Sequence, residues 1–385
     1  MVINSVSLIL VSIASFLNLF SYGGVLGSYL FEGFILFQSI LIYFLSINSK
    51  LQYKLPNSIF SFLLINFIFL SLASLVQSSL YPISRSIALS LGVTSFYFLG
   101  NNISKKKLFL FIKFLFICFF IGLFASLYYE KINIFQYSGF FRNPNGLGRF
   151  FAYFFVIFSC FLIKFRKDIG LFFSMQIYSV ILGSFILMSF SSARGAIAAS
   201  ILPFILYLFF VFFNKIKIFL LKKRKSDLKA LIIITVVILF LIVLGKYYYD
   251  FVNTKSIFKI LQRGDITGGR LIIWGLTIEQ ISNWGSVKAY ANDFLEYVGF
   301  DPHNTYLNFA LSNGLIPAIV YFLSLFYSIS KETLFGRQNK GNYLFVYFLS
   351  IMTFFYWIFE SANSILIFWL IFFFLAFEKK ENKFM

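Results

Sequence analysis

The chain has 385 residues, of which 60% are hydrophobic, 22% aromatic and only 12% charged. An ordinary soluble domain carries about a quarter charged residues, so this composition argues against a soluble globular protein. The net charge of +19 would suggest nucleic-acid binding on a soluble chain, but the apolar residues lie in long runs, as membrane spans do. We therefore expect an all-α polytopic membrane protein that binds membrane lipids and no nucleic acid.

Apolar windows along the chain predict about twelve transmembrane helices in a single integral membrane domain, residues 1–385. One external segment between the ninth and tenth windows, residues 249–304, is longer and less hydrophobic than the others. It carries turn signals and an amphipathic helical pattern from Arg270 to Ser282. The windows cover residues 5–20, 29–47, 57–76, 83–100, 108–127, 145–163, 170–190, 195–213, 230–248, 305–329, 343–359 and 361–377.

The positive charges fall mainly on one side of these predicted helices. Twenty-two of the 33 Lys and Arg residues follow an even-numbered window, together with only five of the 14 acidic residues. Positive charge marks the cytoplasmic side of a membrane protein. The sequence therefore predicts that both termini are cytoplasmic and that segment 249–304 lies on the outer side, where the net charge is small.

Few residues could bind a metal or form a disulfide. His303 is the only histidine, and the two cysteines, Cys118 and Cys160, lie inside apolar runs. Zinc, haem and iron–sulfur sites need several clustered ligands, so we expect no metal and no cofactor. The two cysteines are interpreted as small packing residues.

Polar residues at the external ends of the apolar windows are candidates for a functional site, since such groups are costly near the membrane. Arg142 precedes the sixth window on the side depleted of positive charge, and its planar guanidinium could hold a phosphate or serve as an interfacial anchor. Asn143 could cap the helix that starts at Pro144. Asn143 and Asn145 join Arg142 in the candidate binding set, whereas Arg149, one turn deeper, stays outside it.

The next two external clusters each contain an arginine. Arg194 lies in a short turn before the eighth window, where Ser191 or Ser192 could cap the helix and leave its N-terminal amides facing an anion. Arg270 and Trp274 share one face of the amphipathic helix in the long segment. That helix could be an interfacial anchor or part of a lipid-phosphate or sugar site.

The last external cluster contains His303 and Asn304, just before the tenth window. His303 has the only side chain whose ordinary pKa suits proton transfer near neutrality. Glu360, between the last two windows, could orient a partner or mark an external turn. Arg85 is a further external cation. All four residues are included in the candidate site.

Four motifs occur in this order on the predicted external side, over residues 135–375. They are Phe141-Arg142-Asn143-Pro144-Asn145-Gly146, Ser192-Ala193-Arg194-Gly195, Gly269-Arg270 before Trp274, and His303-Asn304-Thr305-Tyr306-Leu307 followed by Gly314. With these motifs the chain resembles the superfamily of bacterial O-antigen polymerases and O-antigen ligases.

The resemblance implies a metal-independent glycosyltransferase of the GT-C type in the bacterial inner membrane, active at its periplasmic face in lipopolysaccharide and other polysaccharide biosynthesis. Its donor would be an oligosaccharide linked to undecaprenyl diphosphate. The arginines that match Arg142, Arg194 and Arg270 would hold the diphosphate, and His303 would serve the acceptor hydroxyl. A separate chain-length regulator is a possible partner.

Three functions remain open at this point. The short external loops and Pro317, which departs from the ligase form of the histidine motif, favour an O-antigen polymerase over a ligase that transfers glycan to the lipid A core. A flippase of lipid-linked oligosaccharide should carry charges deep inside several spans. The predicted spans have almost no charge at their centres.

Overall fold

The structure is a computed structural model that describes residues 55–129, 144–191, 193–222, 270–285, 304–333, 343–359 and 365–382. Within these ranges every regular element is an α-helix, as the composition predicts. In chain order the helices are α1 (Asn57–Gln77), α2 (Tyr81–Asn102), α3 (Lys105–Tyr129), α4 (Pro144–Phe165), α5 (Leu171–Ser191), α6 (Arg194–Lys222), α7 (Arg270–Gln280), α8 (Thr305–Asn313), α9 (Leu315–Thr333), α10 (Leu344–Phe359) and α11 (Ile365–Glu381).

These helices coincide with most of the predicted apolar windows. Helices α1 to α6 match the third to eighth windows, and α10 and α11 match the last two. In the described part of the chain, five helices are long and apolar enough to cross a membrane by length and composition, namely α1, α3, α4, α5 and α9. The first, second and ninth windows lie outside the described residues, so the count of twelve spans remains a prediction.

The tenth window, predicted as one helix over residues 305–329, is interrupted. Gly314 separates α8 from α9 and has a φ of +101°, which a helix built of L residues cannot adopt. A Cβ atom at this position would lie 2.4 Å from the backbone of Trp284. The close approach of the segment that follows α7 therefore explains both the glycine and the break.

Helix α4 is the central helix of the described bundle. Protein buries 83% of its apolar window, compared with 39% for α1, α3 and α9 and 28% for α5. Phenylalanine rings fill the space around it, for example Phe119 of α3 against Phe151 at 5.5 Å. Cys118 and Cys160 are buried free thiols within this packing, in agreement with their interpretation as packing residues.

Helix α11 packs against α2, although the two helices are far apart in sequence. A Cβ atom on Gly100 would lie 2.0 Å from the Phe373 carbonyl oxygen, and one on Gly92 would meet the Trp369 ring at 2.1 Å. Only glycine allows the two backbones to come this close, as in other tightly packed helix pairs. Helix α9 packs along α1.

Charged residues gather at one end of the bundle, which we call the basic end. Lys105, the first residue of α3, pairs at 2.7 Å with Asp168, which lies between α4 and α5. Lys164 of α4 pairs with Glu378 of α11, whose carboxylate also accepts hydrogen bonds from the N–H groups of Phe345 and Val346. All these residues belong to the segments that the charge count predicts on one membrane side, and the structure brings them together.

Candidate functional site

At the opposite end of the bundle, the site end, the first turn of α4 packs against the turn between α5 and α6. A Cβ atom on Gly148 would lie 2.3 Å from the Cβ of Ala193 and 2.9 Å from Ser191 Oγ. Arg194 is the first residue of α6, so this predicted arginine lies at a helix N-terminus close to the start of α4. Two helix N-termini, each of which favours an anion, therefore lie side by side.

Of the two serines predicted as possible caps of α6, Ser191 does not cap it. The Ser191 hydroxyl accepts a hydrogen bond from the N–H of Ala193 at 3.3 Å and donates to the Met188 carbonyl. Ala193 stands before the helix, and its carbonyl oxygen accepts bonds from the N–H groups of Ala196 and Ile197. Ser191 therefore tightens the turn, and Ser192 lies outside the described residues.

Arg149 belongs to this region more clearly than the sequence indicates. The residue is only 3% exposed, in the second turn of α4. Buried arginines inside membrane bundles are costly and usually functional. The sequence signal was present, because Arg149 is a charge inside an apolar window, but hydropathy alone does not tell whether an arginine points inward.

The end of α10 at the site end joins two of the predicted clusters. The Tyr356 hydroxyl donates to the carbonyl oxygen of Asn145 at 3.5 Å, and the ring of Trp357 packs on Tyr306 of α8 at 6.0 Å. The Tyr306 hydroxyl also donates to the Phe354 carbonyl at 3.0 Å. Helix α10 thus fixes the start of α8, next to His303, relative to the start of α4.

Asn304 has a structural role as the N-cap of α8. Its side-chain oxygen accepts a hydrogen bond from the Leu307 N–H at 3.0 Å, and the residue is buried. An N-cap of this kind holds the first turn of a helix in place. The side chain of Asn304 therefore fixes the start of α8. Contact between Asn304 and a substrate remains a prediction.

Helix α7 confirms the helix predicted within the long external segment. Thr277 is fully buried and its hydroxyl donates to the Ile273 carbonyl at 2.7 Å, whereas Leu276 and Ile278 are exposed. Trp274 is half-buried. The helix therefore turns the face of Thr277 toward the protein, and it packs on α8.

Arg85, in the second turn of α2, lies between aromatic rings. Its guanidinium carbon is 5.1 Å from the centre of the Tyr81 ring and 6.0 Å from that of Phe309 on α8. These distances are within the range of cation–π attraction. Arg85 thus lies beside the helix that begins next to His303.

An apolar groove of about 450 Å³ runs between α7, α8 and α9. It is lined by side chains from each of these helices, including Ile278, Tyr306, Leu307, Ala318 and Phe322. This volume is typical of small-molecule sites. Its lining includes Tyr306 and Leu307, so the groove lies beside the first turn of α8, which Asn304 caps.

Four predicted site residues, Arg142, Asn143, His303 and Glu360, lie outside the described residues. For Arg194 and Arg270 the structure describes the backbone at the start of α6 and of α7. The described residues nevertheless bring parts of three motifs to one end of the bundle. Contacts of α10 join Asn145 and Tyr306, the contact of Gly148 with Ala193 adds the start of α6, and α7 packs on α8. In the same described part, no three His, Cys, Asp or Glu side chains come together where they could hold a metal ion.

Comparison of the chain with protein-family models, with curated proteins and with solved structures found no match.

Proposed function

We propose that the protein is a surface polysaccharide polymerase, a metal-independent glycosyltransferase of the bacterial inner membrane. It would transfer a growing glycan from undecaprenyl diphosphate to a hydroxyl of a new lipid-linked repeat unit. The proposed topology has twelve spans, cytoplasmic termini and a site end that faces the periplasm. The observation that carries the proposal is an apolar groove beside the start of α8, at the end of the bundle where α10 also contacts the start of α4.

A lipid-linked sugar needs two adjoining environments. Its isoprenoid chain requires an apolar surface next to the bilayer, and its diphosphate requires cations and N–H donors. The groove between α7, α8 and α9 supplies the first. The paired N-termini of α4 and α6, with Arg194 at one of them, supply the second.

The proposed reaction is a direct displacement at the anomeric carbon. His303 takes the proton of the acceptor hydroxyl, whose oxygen bonds to the anomeric carbon as the bond to the diphosphate oxygen breaks. Undecaprenyl diphosphate leaves with the bonding electrons, and Arg142, Arg194 and Arg270 stabilise its charge. Attack from the opposite face inverts the configuration at that carbon.

The remaining candidates would bind the substrate around this centre. In the proposal, Asn143, Asn145 and Asn304 contact the glycan or diphosphate, and Trp274 and Glu360 flank the sugar. Arg85 supplies a further cation.

Deletion of the gene, followed by electrophoresis of the host's lipopolysaccharide, tests the function. Loss of a polymerase should leave core carrying a single repeat unit. Bare core with polymer retained on the lipid carrier would instead indicate a ligase, and bare core without polymer would indicate a flippase. Complementation with His303→Ala should fail to restore polymer at normal membrane levels, and full-length polymer from this variant would exclude His303 as the base.

Arg270→Lys tests whether a guanidinium is required at the start of α7. Lysine keeps the charge but cannot form the paired hydrogen bonds of the planar fork, so polymer formation should fall. Normal polymer would instead favour a role for Arg270 as an interfacial anchor.

A further inference from the structure

The end of α1 contacts both the segment that follows α7 and the last turn of α8. Gln77, the last residue of α1, is buried, and the chain turns away after it through Ser78 in a left-handed conformation. Its side chain thus points into the protein at the site end. No sequence motif marks this residue, and the proposed reaction does not use it.

The amide of Gln77 binds two separate segments at once. Its Nε2 donates to the carbonyl oxygen of Trp284, in the segment after α7, and to that of Ser312, in the last turn of α8, at 3.2 Å. Both acceptors are carbonyl oxygens, so the nitrogen must face them. Only a side chain with two N–H donors on one atom can serve both in this way.

The segment held by Gln77 also closes the helix break at Gly314. The N–H groups of Leu315 and Ile316, at the start of α9, donate to the carbonyl oxygens of Ser282 and Asn283 at 2.9 and 3.1 Å. Such N–H groups have no partner within their own helix. The segment from Ser282 to Gly285 therefore acts as the cap of α9.

Gly285 packs tightly against Gln77 and the last turn of α8. Gly285 has a φ of +81°, and a Cβ atom there would lie 2.3 Å from Gln77 Nε2 and 2.6 Å from the Ser312 carbonyl oxygen. A displacement of the segment would break these hydrogen bonds together, and loss of the buried bond from Gln77 to Ser312 would leave an unsatisfied polar group. The end of α7 is thereby fixed relative to α8.

We propose that Gln77 is a positioning residue that holds α7, which starts at Arg270, in a fixed place beside α8, which starts next to His303. This inference rests on the proposed function for its effect on sugar transfer. The anchoring of α7 is a separate physical claim that can be measured without activity. Gln77 acts through the two helices and does not touch the substrate.

The test measures the position of α7 with spin labels. One label is placed at Gly275, where a side chain meets nothing within 4 Å, and the other at Tyr128, an exposed residue near the end of α3. Cys118 and Cys160 are replaced by Ala in this background. The distance distribution is then recorded in the full chain with Gln77 intact and with Gln77→Leu, which keeps the bulk but removes both donors.

Asn66→Leu is the matched control. Asn66 is a buried amide on the same helix, and its Nδ2 donates to the Phe62 carbonyl and to Ser324 Oγ, remote from α7 and α8. We expect Gln77→Leu to widen the distance distribution and to lower polymer formation about 10- to 100-fold at normal membrane levels, as small misplacements of catalytic groups do. Asn66→Leu should leave the distribution narrow.

A narrow distribution in Gln77→Leu would overturn the proposal, as would a wide one with normal polymer. If Gln77→Leu does not accumulate, Gly285→Ala reaches the same contact from the other side and must widen the distribution. If deletion of the gene leaves the host's polysaccharide unchanged, the proposed function fails. The distance measurement then still decides whether Gln77 anchors α7.

Discussion

The guanidinium of Arg85 lies close to the rings of Tyr81 and Phe309. Attraction to the rings can orient the guanidinium plane while its edge N–H groups stay available to an acceptor. Within the described ranges, no hydrogen-bond acceptor or carboxylate pairs with Arg85. The proposed role of Arg85 as a further cation in the site requires such an available edge.

Arg85→Lys should therefore lower polymer formation about tenfold, equivalent to about 1.4 kcal/mol, because lysine cannot present the planar fork. The measurement is polymer yield per amount of protein in the membrane. Lys331→Met is a suitable control, since Lys331 lies 5.3 Å from the Tyr327 ring toward the end of α9 that carries Glu332. Equal yields for Arg85→Lys and the unaltered protein would show that the reaction does not need the guanidinium of Arg85.

At the scale of helices, the close contact of α4 with the start of α6 depends on a glycine, Gly148, which has no side chain. A Cβ atom on Gly148 would overlap Ala193 and Ser191, so any larger residue must push the two helix starts apart. Those starts carry Asn145 and Arg194. Their separation therefore bears on both stability and the proposed anion site.

Gly148→Ala should destabilise the protein by about 1–3 kcal/mol, the usual cost of overpacking. Thermal unfolding in detergent measures this effect. Gly170→Ala provides the control, because nothing lies within 4 Å of a Cβ at Gly170, and its melting temperature should stay near that of the unaltered protein. Equal melting temperatures for the two variants would contradict the close contact of α4 with α6.

Two ion pairs at the basic end differ sharply in burial. The side chains of Lys164 and Glu378 are 6% and 0% exposed, whereas those of Lys105 and Asp168 are both 42% exposed. Breaking a buried pair leaves an uncompensated charge, but an exposed pair contributes little. The buried pair also holds the start of α10 through the N–H groups of Phe345 and Val346.

Lys164→Met should therefore cost about 3–5 kcal/mol by leaving the Glu378 carboxylate without its cation. The double variant Lys164→Met with Glu378→Gln should recover part of that loss. Lys105→Met, at the exposed pair, should cost about 0–1 kcal/mol. Thermal unfolding of the four proteins gives the comparison, and equal losses for the two lysine variants would contradict the buried pairing.

Over the described part of the molecule, the sequence predicts the positions of the helices well, but it does not predict which helices pack against each other. Apolar windows locate α1 to α6, α10 and α11 because hydropathy is a local property. The break at Gly314 escapes such windows, since it depends on the backbone of Trp284, which a sum over side chains does not contain. The anchoring role of Gln77 escapes them for the same reason.

In the candidate site too, local features can be predicted from the sequence and contacts between helices cannot. The external polar clusters can be found from the sequence because they interrupt apolar runs. That Tyr356 of α10 binds Asn145 of α4, or that Arg149 points inward, depends on which helices pack together. Those pairings bring together residues more than 200 positions apart, and no local pattern encodes them.

The two ends of the bundle make the proposed orientation testable. Leu80, between α1 and α2 at the site end, is 82% exposed, and Leu171, at the start of α5 beyond the loop that contains Asp168, is 81% exposed. Native Cys118 and Cys160 are buried, so single cysteines at these two positions would be the main reactive thiols. Positive charge near Leu171 predicts a cytoplasmic location for it.

Leu80→Cys should react with a membrane-impermeant maleimide added to spheroplasts, whereas Leu171→Cys should react only after the membrane is permeabilised. Both should react equally in detergent, which controls for local access to the thiol. The reverse pattern would place the basic end outside and the groove, with its polar clusters, on the cytoplasmic side. A polymerase that meets its substrates in the periplasm could not work in that orientation, so this labelling pattern constrains topology and proposed function together.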